Sequence, residues 1–220
     1  MKIGLFGGTF DPIHLGHLRA VEEVSEKFGL AKTFLIPAAR PPHKPHREIS
    51  PASDRLEMMR LAVGSRAAFE ISDIELRRTG PSYTVDTLNH FKRTAADRDY
   101  YLIMGLDAFL EIDTWKAYLE IFKKTPVIIM ARPGGLPDPR VSPWQAAADF
   151  IRENLSDAYR ITDAGACDPG GGYQPIHFID VSLLVISGTG IRNLIRQGKS
   201  IQFLVPDKVE AYIRQRGLYQ

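Results

Sequence analysis

Short, continuous apolar runs alternate along this chain with longer stretches in which apolar side chains recur every three or four residues. Residues 2–6 (KIGLF) are such a run, ended by Gly7-Gly8, and predict a buried strand. From about Gly16 the spacing changes. Leu18, Val21, Val24 and Phe28 then share one helical face, and Gly29 closes it. Residues 33–36 (TFLI) predict a second strand stopped by Pro37. The stretch 40–48 (RPPHKPHRE) can continue neither element, because three prolines interrupt it. Pro51 suits the first turn of a helix whose stripe is Leu56, Met59 and Val63. Strands are predicted over 69–74, 100–104 (YYLIM) and 126–131 (PVIIMA), and a helix over about 83–92 through Val85, Leu88 and Phe91.

Toward the end of the chain, residues 176–181 and 183–186 predict one or two more strands. Helices follow over about 189–197 and 207–216, the second stopped at Gly217. The stretch 133–175 is mixed: a helix around 143–154 lies between PGGLPDP and DAGACDPGGGYQP, and both flanks read as surface loops. The runs YYLIM and PVIIMA lack alternation, the pattern of a parallel sheet covered on both faces. Strands alternating with helices predict an α/β fold with an open, doubly wound, mostly parallel sheet. No internal repeat divides the chain, so a single domain over 1–220 is expected, with a loop-rich insertion around 133–175. In such sheets ligands bind beyond the carboxyl ends of the strands, where the strand order reverses. Residues 7–17 (GGTFDPIHLGH) follow the first strand and fall at that place.

Composition adds few constraints. At 220 residues a folded chain buries roughly 70% of the surface its unfolded form exposes, enough for a core without staples. The lone Cys167 excludes a disulfide framework, and 28 basic against 26 acidic side chains argue neither for nor against a polyanionic partner. No apolar run approaches the ~18 residues of a membrane span. The opening MKIGLFGGTFD is too short and too soon acidic for a signal peptide, so a cytoplasmic protein is expected.

The turn after the first strand carries the chemistry. Gly7 and Gly8 allow close approach of a ligand to the backbone, or a positive φ. Amides at the start of the next helix lack intrahelical partners, and the helix dipole adds positive potential, which together suit phosphate. His14 and His17 stand three apart, so the two rings share one face if His14 lies at the helix entry. Two imidazole donors there would stabilise a phosphoryl transition state without a protein nucleophile. A plain turn and a metal site are the alternatives, although no third metal ligand of suitable spacing is evident. The dinucleotide pattern G-x-G-x-x-G is absent.

Gly-Gly-Thr-Phe-Asp-Pro followed by His-x-Gly-His resembles the T/HxGH signature of the nucleotidylyltransferases. That superfamily has a Rossmann-like fold and joins a phosphate-bearing acceptor to the α-phosphate of a nucleotide. The HIGH motif of class I aminoacyl-tRNA synthetases uses the same logic. Residues 186–192 (ISGTGIR) resemble the ISxTxxR element that holds the triphosphate in this superfamily, with Ser187 a natural N-cap. Ile36-Pro37, Pro42-His43-Lys44, Pro81-Ser82-Tyr83-Thr84 with Thr87, Gly105-Leu106-Asp107, Trp115, Arg132-Pro133-Gly134 and 216–219 (RGLY) resemble one branch, the nicotinate-nucleotide adenylyltransferases.

That resemblance implies ATP and nicotinate mononucleotide as substrates, Mg²⁺ as cofactor, and catalysis by His14 and His17. It implies ATP contacts from Gly7, Gly8, Thr9, Phe10, His14, His17, Lys44, Gly105, Asp107, Arg132, Ser187, Thr189 and Arg192. The nicotinate nucleotide would meet Thr9, Thr84, Trp115 and the amide of Lys116. Trp115 would stack on the pyridine ring, Asp107 would accept from ribose hydroxyls, and Lys44, in a basic loop with Arg40 and Arg47, would face the leaving pyrophosphate. No protein metal cage, nucleic-acid partner or membrane partner is expected. Phosphopantetheine and nicotinamide mononucleotide are the rival acceptors, and a non-catalytic nucleotide sensor the rival function.

Overall fold

The computed structural model describes residues 1–40, 49–131, 142–155, 159–162, 166–168, 172–182 and 184–220. The chain runs β1 (Lys2–Gly8), α1 (Leu15–Phe28), β2 (Lys32–Pro37), α2 (Ala52–Val63), β3 (Phe69–Ile71), α3 (Ile74–Arg77) and α4 (Thr84–Thr94). It continues through β4 (Asp99–Gly105), α5 (Leu106–Phe109), a 3₁₀ turn (Ile112–Thr114), α6 (Tyr118–Lys124), β5 (Val127–Ala131) and α7 (Pro143–Asn154). The last elements are β6 (Arg160–Ile161), β7 (Ala166–Asp168), β8 (Ile176–Asp180), α8 (Gly188–Arg196) and α9 (Asp207–Arg216).

One sheet has the order β3-β2-β1-β4-β5-β8-β7-β6. The six strands from β3 to β8 pair in parallel, whereas β7 and β6 add an antiparallel edge. Strands follow one another away from β1 toward β3, and then from β4 toward β8 on the other side. The order therefore reverses between β1 and β4, and the crevice above that pair is where the fold leaves room for a ligand.

Burial explains why the central strands read as unbroken apolar runs. Leu102 and Met104 of β4 join one core layer while Ile103 joins the other, and in β5 Val127, Ile129 and Ala131 oppose Ile128 and Met130. Each strand is covered on both faces, so every position is apolar. Gly29 and Gly217 close α1 and α9 at φ of 61° and 60°, as their positions in the sequence imply.

The sequence expectations fail in four places. The strand expected over 69–74 ends at Ile71, and Ile74 opens α3. Residues 184–186 do not pair as a strand: Leu184 N donates to Ser182 O at 3.0 Å and Ile186 N to Leu184 O at 2.8 Å, local bonds that leave Val185 exposed. The flank DAGACDPGGGYQP is not all surface loop, because β7 pairs with β8 and buries Cys167. A three-residue strand is too short to show a period. Finally, the inner face of α2 carries Asp54, Arg55, Met58, Met59 and Val63, with Leu56 only partly covered. A charged pair belongs to that face because it packs on α9 and on the turn after β1.

Candidate active site

The turn between β1 and α1 is built from both ends. Gly7 and Gly8 belong to β1 and keep ordinary strand φ values, so positive φ is not their purpose. A Cβ on Gly8 would stand 2.9 Å from the ring of Phe10, whereas one on Gly7 would meet nothing within 4 Å. Gly8 makes room for the protein and Gly7 leaves its backbone open to the crevice. Phe10 itself takes the left-handed conformation, at φ 49°, and is buried. Its ring packs edge-on against Phe6 at 5.7 Å and His17 at 5.1 Å. Phe10 thus supports the site from below and offers no side-chain face to a nucleotide.

His14 is the N-cap of α1 and His17 its third residue, so the two close a reciprocal capping box. The His17 amide donates to His14 Nδ1 and the His14 amide to His17 Nδ1, both at 3.3 Å. The rings stack with centroids 3.6 Å apart. Because a backbone amide always donates, each Nδ1 must accept, which leaves the proton of each neutral ring on Nε2. The box therefore orients two imidazole N–H donors side by side at a helix N-terminus. Their spacing in the sequence is the spacing the box requires.

The glycine between them has a steric role. A Cβ on Gly16 would lie 3.1 Å from His14 Nδ1 and 3.2 Å from its Cε1, and the buried, stacked ring has nowhere to retreat. Gly16→Ala is expected to reduce turnover by about tenfold or more through misplacement of His14, a geometric fault of less than an ångström. It should not lower the melting temperature by weakening α1, since alanine favours helix over glycine by about 1 kcal/mol. Steady-state rates beside a thermal melt check both halves.

Beside the turn lies a crevice of about 420 Å³. Gly7, Gly8, Thr9, Thr84, Gly105, Asp107, Trp115 and Lys116 all line it, so eight of the residues singled out from the sequence meet in one place. Thr84 opens α4, whose N-cap Tyr83 supplies no capping side chain. Ser82 fixes that helix entry to the end of β2: its hydroxyl accepts from Ala39 N at 2.8 Å and its amide donates to Arg40 O at 3.0 Å. The ammonium of Lys116 sits 3.2 Å from Asp86 and over the ring of Tyr83. Asp107 is exposed in the first turn of α5, where Gly105, not Asp107, is the N-cap. Trp115 packs partly against the core and partly against the crevice.

The start of α8 reaches the same turn from another side. Ser187 caps it, its hydroxyl accepting from Gly190 N at 3.1 Å. Arg192 is buried; its Nη1 donates to the carbonyl of Asp11 at 2.5 Å, and Nη2 to Thr189 Oγ1 at 3.2 Å. His14, His17, Phe10, Ser187, Thr189 and Arg192 do not line the crevice with the others; Phe10 and the histidines belong to the turn itself, and α8 meets it through Arg192 and the Asp11 carbonyl. Lys44 and Arg132 lie outside the described residues, as does Arg47.

Three residues meet beneath the turn that nothing local in the sequence brings together. Asp11, Arg55 and Tyr219 converge beneath the turn from positions far apart in the chain. The Arg55 guanidinium donates to Thr9 O at 2.8 Å and to Ser50 O at 3.0 Å. Burial pushes it below the usual arginine range, and the charge of Asp11 opposes that shift. Tyr219 donates from its hydroxyl to Asp11 Oδ1 at 2.7 Å.

Residues 5–193 match the model of the cytidylyltransferase-like family, most of the chain, from β1 through the start of α8. The chain belongs to that family. Along its full length it is 44% identical to a probable nicotinate-nucleotide adenylyltransferase of Desulfatibacillum aliphaticivorans, covering all of that protein. A protein of the same name from Pelobacter propionicus is 42% identical, with 100% of this chain and 98% of the relative covered. Among solved structures, the nicotinic acid mononucleotide adenylyltransferase of Plasmodium falciparum, complexed with NaAD, superposes with a TM-score of 0.74. At 15% identity, over 99% of this chain and 97% of that one, the likeness speaks for the fold. This member of the family thus has the doubly wound nucleotidylyltransferase architecture that its first turn implies. Among its described residues, no helix is long and apolar enough to cross a membrane, and no group of three or more His, Cys, Asp or Glu is placed to hold a metal ion.

Proposed function

We propose that this protein joins ATP to nicotinate mononucleotide, giving nicotinate adenine dinucleotide and pyrophosphate, a step of NAD biosynthesis in the cytoplasm. The observation that carries the reading is the stacked His14–His17 pair at the N-terminus of α1, beside a crevice lined by Thr9, Thr84, Trp115 and Lys116. Full-length similarity to proteins named for this activity supports it.

The 5′-phosphate of the acceptor is already an anion and needs no general base. It attacks the α-phosphorus of ATP in line, the new P–O bond forms, and pyrophosphate leaves on the opposite side with the electrons of the broken bond. The protein supplies position and donors. His17 is the principal Nε2 donor to the α-phosphate oxygens, and His14 orients the phosphate chain beside it. The amides of Gly7, Gly8 and the start of α1 cradle the chain, with Thr9 near the acceptor. Phe10 serves the ATP site indirectly, through His17. Ser187 and Thr189 approach the triphosphate from α8, Arg192 serves that site by holding the turn through the Asp11 carbonyl, and Lys44 offsets charge on the leaving group. Gly105 and Asp107 take the ribose, and Arg132 borders the adenine.

Mg²⁺ would come with ATP as part of the substrate and would offset charge on its phosphates, and the turn and α8 would hold the nucleotide so loaded. The donor set fits that arrangement: it consists of amides, imidazoles and cations that address phosphate. The carboxylate beneath the turn, Asp11, is buried and occupied by Tyr219 and Arg192. For the acceptor, Trp115 offers a face to the pyridine ring. The α4 entry at Thr84 and the Lys116 amide offer donors to its carboxylate, which distinguishes nicotinate from nicotinamide.

Pyrophosphate release from Mg-ATP, measured separately with nicotinate mononucleotide, nicotinamide mononucleotide and phosphopantetheine, tests the reading. A strong preference for the first is expected. Preference for another acceptor would overturn the pyridine-carboxylate pocket, and ATP binding with no release in any case would make the protein a nucleotide sensor.

A further inference from the structure

The C-terminal end of the chain reaches into the catalytic turn. Helix α9 is anchored on α2, where Asp54 Oδ1 accepts from the Tyr212 hydroxyl at 2.8 Å and faces Arg216 Nε at 3.4 Å. The helix then closes on Gly217 at φ 60°, with Leu218 N donating to Ile213 O at 3.1 Å and Gly217 N to Arg214 O at 3.3 Å. That closure reverses the chain and carries Tyr219 back under the turn, where its hydroxyl donates to Asp11 Oδ1 at 2.7 Å. The other oxygen of Asp11 accepts from Ser50 N at 3.4 Å and stands 3.8 Å from Arg192 Nη1.

Asp11 is buried, and its carboxylate is spent on the protein. The residues around it hold the turn on both sides of Phe10: Arg55 grips the carbonyl of Thr9 and Arg192 that of Asp11. Between those grips Phe10 keeps a left-handed φ of 49°, a conformation a bulky side chain adopts only where its surroundings enforce it. The Phe10 ring lies edge-on to His17, and His17 stacks on His14. A continuous line of contacts therefore runs Tyr219–Asp11–Phe10–His17.

We propose that Tyr219 is a positioning residue for adenylyl transfer: its hydroxyl fixes Asp11, and through Asp11 and Phe10 it sets the orientation of the His17–His14 donor pair. The inference rests on the adenylyl transfer proposed above. Tyr219 touches no substrate, so its loss alters the approach of the donors to the transition state more than the binding of either nucleotide.

The test compares Tyr219→Phe, Asp11→Asn and the double variant in the full chain, by pyrophosphate release with Mg-ATP and nicotinate mononucleotide. The imidazole NMR resonances of His14 and His17 are recorded alongside. Tyr219→Phe removes one oxygen and keeps the ring. It is expected to lower kcat about tenfold, with both KM values within about threefold of the parent, and to shift the His17 resonances. The double variant should be no slower than Asp11→Asn, because both changes break the same link. Parental kcat in Tyr219→Phe, a loss confined to KM, or losses that multiply in the double variant would each overturn the proposal. If Asp11→Asn does not fold, the kcat, KM and resonances of Tyr219→Phe decide alone. If the parent itself releases no pyrophosphate, the proposed function fails, and the resonances still decide whether Tyr219 orients the histidines: unchanged signals would refute it.

Discussion

Replacing His17 by alanine is expected to lower turnover by a factor on the order of 10²–10³ while leaving ATP binding largely in place. Removing one donor aimed at charge that develops in a transition state typically raises the barrier by ~3–4 kcal/mol. In the resting arrangement His17 Nδ1 is committed to the His14 amide, which fixes the ring and presents Nε2–H at the helix mouth. The glycine turn, the capped start of α8 and the crevice remain in the variant and hold the nucleotide. His17 is also half of the capping box, so loss of the box must be separated from loss of the donor. His17→Gln makes that separation, because glutamine at the third helical position serves a capping box but carries no imidazole. Equal losses of kcat in the alanine and glutamine variants identify the donor as what matters. Recovery in His17→Gln would show that the cap, or any side-chain N–H in place of the imidazole, carries the effect, and near-parental turnover in both would remove His17 from the chemistry.

The two histidines were legible because a helix start imposes a local rule: side chains at the cap and three residues on meet, whatever the rest of the chain does. The central strands were legible for a similarly local reason, since burial on both faces leaves no polar position in YYLIM or PVIIMA. The buried places of Asp11 and Arg55 were not: Asp11 stood in the motif that carried the resemblance, but an aspartate in a turn and an arginine in the first turn of a helix are ordinary surface residues by pattern. Only the packing of α2 beneath the turn makes them interior, with Arg55 1% exposed. Tyr219 belonged to a segment that resembled the family, but nothing near it in sequence says that its hydroxyl meets residue 11. Long-range convergence of this kind leaves no period to read. The same holds for β7, whose three residues find a partner only because β8 already has a free edge.

The second large effect follows from that convergence. Arg55→Leu is expected to destabilise the fold by about 3–5 kcal/mol, the usual cost of breaking a buried charge network by removing one partner. Arg55 spans two carbonyls, Thr9 O and Ser50 O, which would both lose a charged donor in a place water does not reach. Asp11, itself buried, would keep Arg192 at 3.8 Å but lose the neighbouring positive charge that Arg55 supplies. Leucine fills much of the volume, so the loss is electrostatic and not a cavity effect. For a domain of this size the shift amounts to about 10 °C in melting temperature. Arg55→Lys should fall between the two, because an ammonium retains the charge but lacks the planar fork that reaches both carbonyls. Arg66→Ala is the contrasting case: its bond to Glu22 is short, at 2.5 Å, yet Arg66 is 60% exposed and the expected loss is at most about 1 kcal/mol. Thermal melts of the three variants against the parent decide the matter. An Arg55→Leu protein as stable as Arg66→Ala would mean that the guanidinium merely occupies space beneath the turn, and that the turn holds its shape without it.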